Sequence, residues 1–93
     1  MNIFNHYHKL ISKIIIKNNK FLKIKDKAQI KNFVVESPPV QFDCDLSCNI
    51  SLVLAKDLGQ NPRELAITLK DLFKKEIEEF EKIEIAGPGF LNI

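Results

Sequence analysis

The residues best suited to chemistry lie in the C-terminal run Gly-Pro-Gly-Phe-Leu-Asn-Ile, residues 87–93. In a strand, alternate side chains point to opposite faces, so Leu91 and Ile93 on the core side would place Phe90 and Asn92 together outside. An exposed aromatic ring beside an exposed amide suits an unstacked nucleobase, because the ring stacks on the base and the amide bonds to its edge. The chain stops within this pattern, and we therefore expect it to be a fragment of something longer.

Other residue types that could do chemistry do not form a recognisable site. Cys44 and Cys48 lack further cysteines or suitably spaced partners for zinc, and we expect small buried or half-buried thiols at a helix start. His6 and His8 do not share a helical face, so no metal is expected there. The run Gly87-x-Gly89 lacks the third glycine and the following helix of a dinucleotide site. The sequence therefore indicates a binding module with no catalytic residues and no cofactor of its own.

Charge is divided unevenly along the chain, although the formal net charge is only +2. Residues 1–35 carry eight lysines against one aspartate, whereas residues 36–93 carry six basic and eleven acidic residues. Lys9, Lys13 and Lys17 recur every four residues, and such a basic segment favours a polyanionic partner. The alternative is a solvated lysine surface in a chain rich in Ile, Lys and Asn.

Hydrophobic periodicity and turn residues predict the elements that would position these side chains. Apolar residues at helical spacing predict a helix over residues 2–17, and Asp45 or Ser47 is expected to cap a second helix ending near Leu58 before Gly59. Asn61, followed by Pro62 at the first helical position, predicts a third helix running to about Glu79. The remaining expected segments are a short strand or mobile link at 20–28, strands at 30–36, 82–86 and 90–93, and an extended piece at 41–44.

This order of elements predicts one domain, residues 1–93, of the α+β class. We expect two layers, helices against a mostly antiparallel sheet, in the order α-β-β-α-α-β-β. Apolar runs such as Ile14 to Ile16 are far too short to span a membrane, and no signal peptide is evident. A cytoplasmic protein without a membrane partner is expected.

Five segments of the chain match a known family in order. They are Val35-Glu36 with Pro38, Asp45-Leu46-Ser47-Cys48-Asn49, Leu54-Ala55-Lys56, Asn61-Pro62-Arg63-Glu64-Leu65-Ala66 and Glu84-Ile85-Ala86-Gly87-Pro88-Gly89-Phe90-Leu91-Asn92. Through these segments the chain resembles, from Val35 to Ile93, the N-terminal additional domain of arginyl-tRNA synthetase. Cys44, where the family usually has glycine, and Cys48, where a small polar residue is usual, depart from its pattern.

The resemblance implies a larger parent, a class I aminoacyl-tRNA synthetase that joins arginine to its tRNA with ATP. Its catalytic domain, which binds ATP, and its anticodon-binding domain would lie outside this chain. In the family this domain contacts the outer corner of the tRNA at the D-loop, and Phe90 and Asn92 match the positions that read an exposed D-loop base. The implied partners are therefore tRNA for arginine and the catalytic domain of the parent chain.

Two alternatives remain open from the sequence. The domain could dock on the catalytic body without an important RNA contact, with Phe90 buried against the parent. It could also be a free-standing RNA-binding paralogue. If the domain binds RNA, either as part of the parent or as a free-standing paralogue, Lys9, Lys13 and Lys17 would add nonspecific attraction to phosphates.

Overall fold

The computed structural model describes residues 3–24, 33–37, 46–80 and 82–93. Helices and strands alternate in pairs along the described chain. They are α1 (Ile3–Lys17), α2 (Asn19–Leu22), β1 (Val35–Glu36), β2 (Ser47–Cys48), α3 (Ile50–Leu58), α4 (Pro62–Glu76), β3 (Glu84–Ala86) and β4 (Phe90–Asn92).

The predicted first helix is confirmed, but the segment after it is a helix rather than a strand or link. Ile11, Ile14 and Ile15 of α1 are buried, as their helical spacing requires. The short α2 follows at once and closes with Lys23 in the left-handed region (φ 61°). The backbone N–H of Ile24 then donates to the carbonyl of Asn19 at 2.9 Å. This closure buries apolar side chains on both sides of Lys23, which weak alternation in the sequence did not reveal. The rest of the predicted 20–28 segment lies outside the described residues.

The predicted cap at Ser47 is wrong, because Ser47 and Cys48 form a strand. β2 pairs with β1 on one side and β4 on the other, so its backbone groups are used in sheet ladders. The helix begins two residues later, at Ile50. The side chain of Asn49 does not cap that helix; its Oδ1 instead accepts a 2.6 Å hydrogen bond from the backbone N–H of Val34. The alternative cap, Asp45, and the predicted extended piece at 41–44 lie outside the described residues.

The end of α3 and the start of α4 lie where their local signals predict. Gly59 ends α3 in the left-handed region (φ 66°). Asn61 caps α4 by accepting hydrogen bonds from the N–H groups of Arg63 at 2.9 Å and Glu64 at 3.2 Å. α4 ends at Glu76, three residues before the predicted end. Acidic side chains beyond that point oppose the helix dipole, while Ile77 and Phe80 still reach the core.

The sheet confirms the predicted α+β class and antiparallel pairing. Its strand order is β1-β2-β4-β3, so β2 and β4 occupy the centre. Of the predicted strand 30–36, only β1 is a strand within the described residues, and β3 and β4 are shorter than the predicted 82–86 and 90–93. Two backbone hydrogen bonds between Leu46 and Ile93, at 3.0 and 2.8 Å, extend the pairing of β2 with β4.

Strand register divides the sheet into an apolar face and a polar face, because directly paired residues point to the same side. The apolar row contributes to the core against which α1, α3 and α4 pack, whereas the second row, here called the outer row, faces away from the helices. The apolar row is Val35, Cys48, Leu91 and Ile85. The outer row is Glu36, Ser47, Asn92 and Glu84. The domain thus has two layers, and the helices cover one side of the sheet.

Within the described parts of the chain, no helix combines the length and the apolarity needed to cross a membrane.

Candidate nucleic-acid interface

The outer side of the sheet carries a pocket of about 300 Å³ that contains both predicted base-binding residues. Its lining combines a phenyl ring, an amide, a hydroxyl and one carboxylate. The lining residues are Glu36, Ser47, Ala86, Gly87, Pro88, Phe90 and Asn92. A volume of about 300 Å³ is at the lower end of the range for small-ligand pockets. The pocket can therefore hold a group of about the size of one base.

Phe90 and Asn92 lie on the same side of β4, as strand alternation predicts. Leu91, between them, is fully buried in the core. The degree of exposure differs from the prediction, however, because Asn92 is only 5 % exposed and Phe90 is half-buried. Asn92 sits on a central strand between Ser47 and Glu84, which flank it in the outer row. The amide is thus held at the floor of the pocket, and the ring forms part of its wall.

The turn that leads into Phe90 is fixed by contacts from α3 and α4. Ser51 of α3 donates a hydrogen bond from Oγ to the carbonyl of Gly89. Arg63 of α4 donates from Nη1 to the carbonyl of Gly87 at 2.5 Å. Gly89 itself has φ 145°, and a Cβ there would lie 3.1 Å from the carbonyl oxygen of Pro62. Only glycine combines this backbone conformation with such close approach of a helix start.

Sequence reasoning identified the pair Phe90–Asn92 but missed Arg63, Ser51 and Glu36. Arg63 and Ser51 act on the turn through contacts with residues 24 and 38 positions away in the chain. Contacts between residues so far apart in the chain produce no periodic pattern in the sequence. The place of Glu36 in the pocket depends on how β1 pairs with β2 and how β2 pairs with β4. Sequence reasoning could not predict this pairing, because it assigned the residues of β2 to a helix start. The error at Ser47 therefore concealed the third strand of the pocket.

The charges around the pocket favour a base rather than a phosphate. No Lys or Arg side chain is among the lining residues described, and Glu36 contributes a carboxylate. Glu84, at the other end of the outer row, forms an ion pair with Lys82 at 3.1 Å, with both side chains largely exposed. A phosphate would meet net negative charge here, whereas a neutral base would meet hydrogen-bonding groups and a ring.

The predicted lysines of α1 lie on the side of that helix turned away from the core. Lys9, Lys13 and Lys17 each lie two positions from buried Ile11 or Ile15, and at 3.6 residues per turn this spacing places them on the opposite face. All three are exposed. Lys17 is also paired with Glu76 at 3.1 Å. The structure therefore separates the lysines from the pocket rather than bringing them together.

The remaining chemically interesting side chains have structural surroundings. Burial raises the pKa of the Cys48 thiol to about 12, against a smaller lowering by a backbone hydrogen bond at Ile50. The ring of His8 stacks on that of Phe33, with centroids 4.1 Å apart, and its Nε2 lies 3.1 Å from the carbonyl oxygen of Phe33. Within the described residues, no group of three or more His, Cys, Asp or Glu side chains could hold a metal ion. Cys44 lies outside those residues.

Comparison with known proteins identifies the family. A family model described as the arginyl tRNA synthetase N terminal domain matches residues 5–93. An arginine–tRNA ligase of Pelagibacter ubique is 40% identical over the whole chain, and one of Bartonella tribocorum is 38% identical over the same span. The chain spans 16% of the length of each of these relatives. A third relative, from Nitratidesulfovibrio vulgaris and of the same name, is 48% identical over 59 residues, 63% of this chain and 11% of its own length. The chain thus belongs to the family of arginyl-tRNA synthetase N-terminal domains.

Proposed function

We propose that this domain binds tRNA for arginine as part of an arginine–tRNA ligase, with a D-loop base in the pocket of the outer sheet face. The observation that carries the proposal is the joint position of Phe90 and Asn92 in that pocket. Relatives named as arginine–tRNA ligases support the identity of the parent enzyme. Attachment of arginine and use of ATP would belong to the catalytic domain of the parent, which is also the expected partner of this domain.

Phe90 and Asn92 would make different contacts with a bound base. Stacking of a base on an aromatic ring contributes about 1–3 kcal/mol and tolerates any base. The Asn92 amide adds a donor and an acceptor to the base edge. Because Asn92 is held on a central strand and Phe90 follows a fixed turn, little conformational entropy is lost when the base enters.

The lysines of α1 would make a different contribution. Lys9, Lys13 and Lys17 would attract phosphates without reading sequence. Since they face away from the pocket, they would meet a part of the RNA other than the base on Phe90.

Aminoacylation kinetics of the full-length ligase with tRNA for arginine tests the proposal. For Phe90→Ala we expect the KM for tRNA to rise about 5- to 150-fold, the equivalent of ~1–3 kcal/mol, with little change in kcat. Asn92→Ala should act in the same direction. Phe21→Ala is the matched control, because Phe21 is 68% exposed on α2 and outside the pocket lining.

Two results would favour the alternatives. Unchanged kinetics for both pocket variants would indicate a domain that docks on the catalytic body without reading RNA. A reading frame that ends at Ile93 in the genome would indicate a free-standing RNA-binding paralogue, whereas one continuing for several hundred residues would exclude it.

A further inference from the structure

The part of the pocket formed by β1 and β2 carries chemistry that the pair Phe90–Asn92 does not account for. Glu36 is paired with Ser47, and Ser47 is paired with Asn92, so the three side chains stand in line on the outer face. All three line the same pocket. We propose that Glu36 is a specificity-determining residue, whose carboxylate accepts a hydrogen bond from the amino group of the base stacked on Phe90. The inference rests on the proposed function and extends it.

The spacing of the strands allows one base to meet both Asn92 and Glu36. Adjacent strands lie about 4.8 Å apart, so residues two strands apart in the same row are separated by about 10 Å at the backbone. Side chains of one row stand roughly perpendicular to the sheet, so this gap is wide enough to hold a planar base between the Asn92 amide and the Glu36 carboxylate. A planar base lying over Ser47 can then have opposite edges within reach of the two side chains.

The chemistry of a carboxylate determines which bases it favours. A carboxylate only accepts hydrogen bonds, so its partner must be a donor. Adenine, cytosine and guanine each carry an exocyclic amino group, whereas uracil presents carbonyl oxygens at the corresponding positions. A carbonyl oxygen opposite the Glu36 carboxylate would be repelled, and the one donor on the pairing edge of uracil, its ring N3–H, lies between two such oxygens. The pocket should therefore select an amino-bearing base over uracil.

The charge of Glu36 has no partner among the ion pairs of the described residues, which are Lys17–Glu76 and Lys82–Glu84. Glu84 occupies the opposite end of the outer row, but it is paired with Lys82 and is not among the residues that line the pocket. The two glutamates thus share a sheet face and differ in access to the pocket. This difference supplies an internal control.

The test combines Glu36→Gln with base substitutions in the D-loop of tRNA for arginine. For the wild-type full-length ligase, replacing the recognised base by uracil should lower kcat/KM for tRNA about tenfold more than replacing it by another amino-bearing base. Glu36→Gln should largely remove that difference, because a glutamine amide can also donate to a carbonyl oxygen. Glu84→Gln should keep the wild-type preference.

Two results would overturn the role of Glu36, and Phe90→Ala shows whether the proposed function fails with it. A wild-type preference that Glu36→Gln leaves unchanged would overturn the inference, as would a wild-type enzyme that accepts uracil as well as amino-bearing bases. If Phe90→Ala also has no effect on KM, the proposed function fails as well. If Phe90→Ala raises KM while Glu36→Gln retains the preference, only the role of Glu36 is excluded.

Discussion

Arg63 donates a 2.5 Å hydrogen bond from Nη1 to the carbonyl oxygen of Gly87, tying the start of α4 to the turn that precedes Phe90. The same helix start is capped by Asn61 and places Pro62 against Gly89. The two most characteristic stretches of the sequence, Asn-Pro-Arg-Glu and Gly-Pro-Gly-Phe-Leu-Asn, are therefore in direct contact. The first stretch positions the second, and the second supplies Gly87, Pro88, Phe90 and Asn92 to the pocket lining.

Replacing Arg63 should weaken tRNA binding through the position of Phe90. In the full-length ligase we expect Arg63→Gln to raise the KM for tRNA a few-fold, less than Phe90→Ala, because an exposed charged hydrogen bond contributes only about 1 kcal/mol after solvent screening. Arg63→Lys should restore part of the loss, and Lys75→Gln, at the far end of the same helix, should resemble wild type. In a Phe90→Ala background the effect of Arg63→Gln should disappear. Equal effects in both backgrounds would contradict a positioning role.

Gly89→Ala should destabilise the domain more than Gly59→Ala. Both glycines have positive φ, but a Cβ at Gly89 meets Pro62 at 3.1 Å while one at Gly59 meets open space. We expect a loss of about 2–4 kcal/mol at Gly89 and about 1 kcal/mol at Gly59, measured by equilibrium urea unfolding of the 93-residue chain. Similar losses at both positions would show that the contact with Pro62 is not tight.

Removing the Asn61 cap should cost about 1 kcal/mol of folding stability, since two N–H groups at the start of α4 would lose their acceptor. Asn61→Asp should retain most of that stability, because its carboxylate accepts the same bonds and suits the positive end of the helix dipole. Thermal unfolding of Asn61→Ala and Asn61→Asp side by side gives the comparison. Equal losses in both variants would indicate that the side-chain hydrogen bonds contribute little.

Local signals in the sequence were sufficient for α1, for the end of α3, for the start of α4 and for the orientation of β4. The cap at Asn61, the stop at Gly59 and the apolar stripe of α1 each depend on residues close in the chain, and all three are confirmed. Alternation placed Phe90 and Asn92 on one face because it needs only the period of a strand.

The unpredicted features depend on contacts between distant residues. Ser47 and Cys48 lie in a stretch whose residue types are typical of a helix start, but pairing with β1 and β4 makes them a central strand. The low exposure of Asn92 and the place of Glu36 in the pocket follow from that strand. Neither could be predicted without knowing the register, which is set by long-range pairing rather than by local propensity.

The buried thiol of Cys48 should make part of the folding stability depend on alkaline pH. Burial raises the folded-state pKa of the thiol to about 12, above its ordinary value of 9.0, so folding favours the protonated thiol. The resulting stability is fully present below about pH 9 and is lost as pH rises from there toward 12. Relative to Cys48→Ala, the wild-type chain should lose about 2 kcal/mol of its free energy of unfolding between pH 7 and about pH 10.5. A difference between the two chains that does not vary with pH would show that the thiol can ionise without unfolding.

The lysines of α1 should affect the salt dependence of tRNA binding without affecting the preference for a base. Lys9, Lys13 and Lys17 face away from the core on the helical side of the domain, whereas the pocket lies on the outer face of the sheet. If Lys9 and Lys13 each contact a phosphate, replacing either by glutamine should reduce the slope of log affinity against log salt by about 1. Lys17 should contribute less, because it already pairs with Glu76.

The control for these variants is Lys56→Gln, an exposed lysine on α3. Phe90→Ala should lower affinity by a similar factor at every salt concentration, since stacking releases no counterions. A variant with Lys9, Lys13 and Lys17 all replaced that keeps the wild-type slope would remove this surface from the RNA interface. It would leave the pocket as the sole predicted RNA contact of the described residues, and that contact would then have to supply the whole contribution of the domain to tRNA affinity.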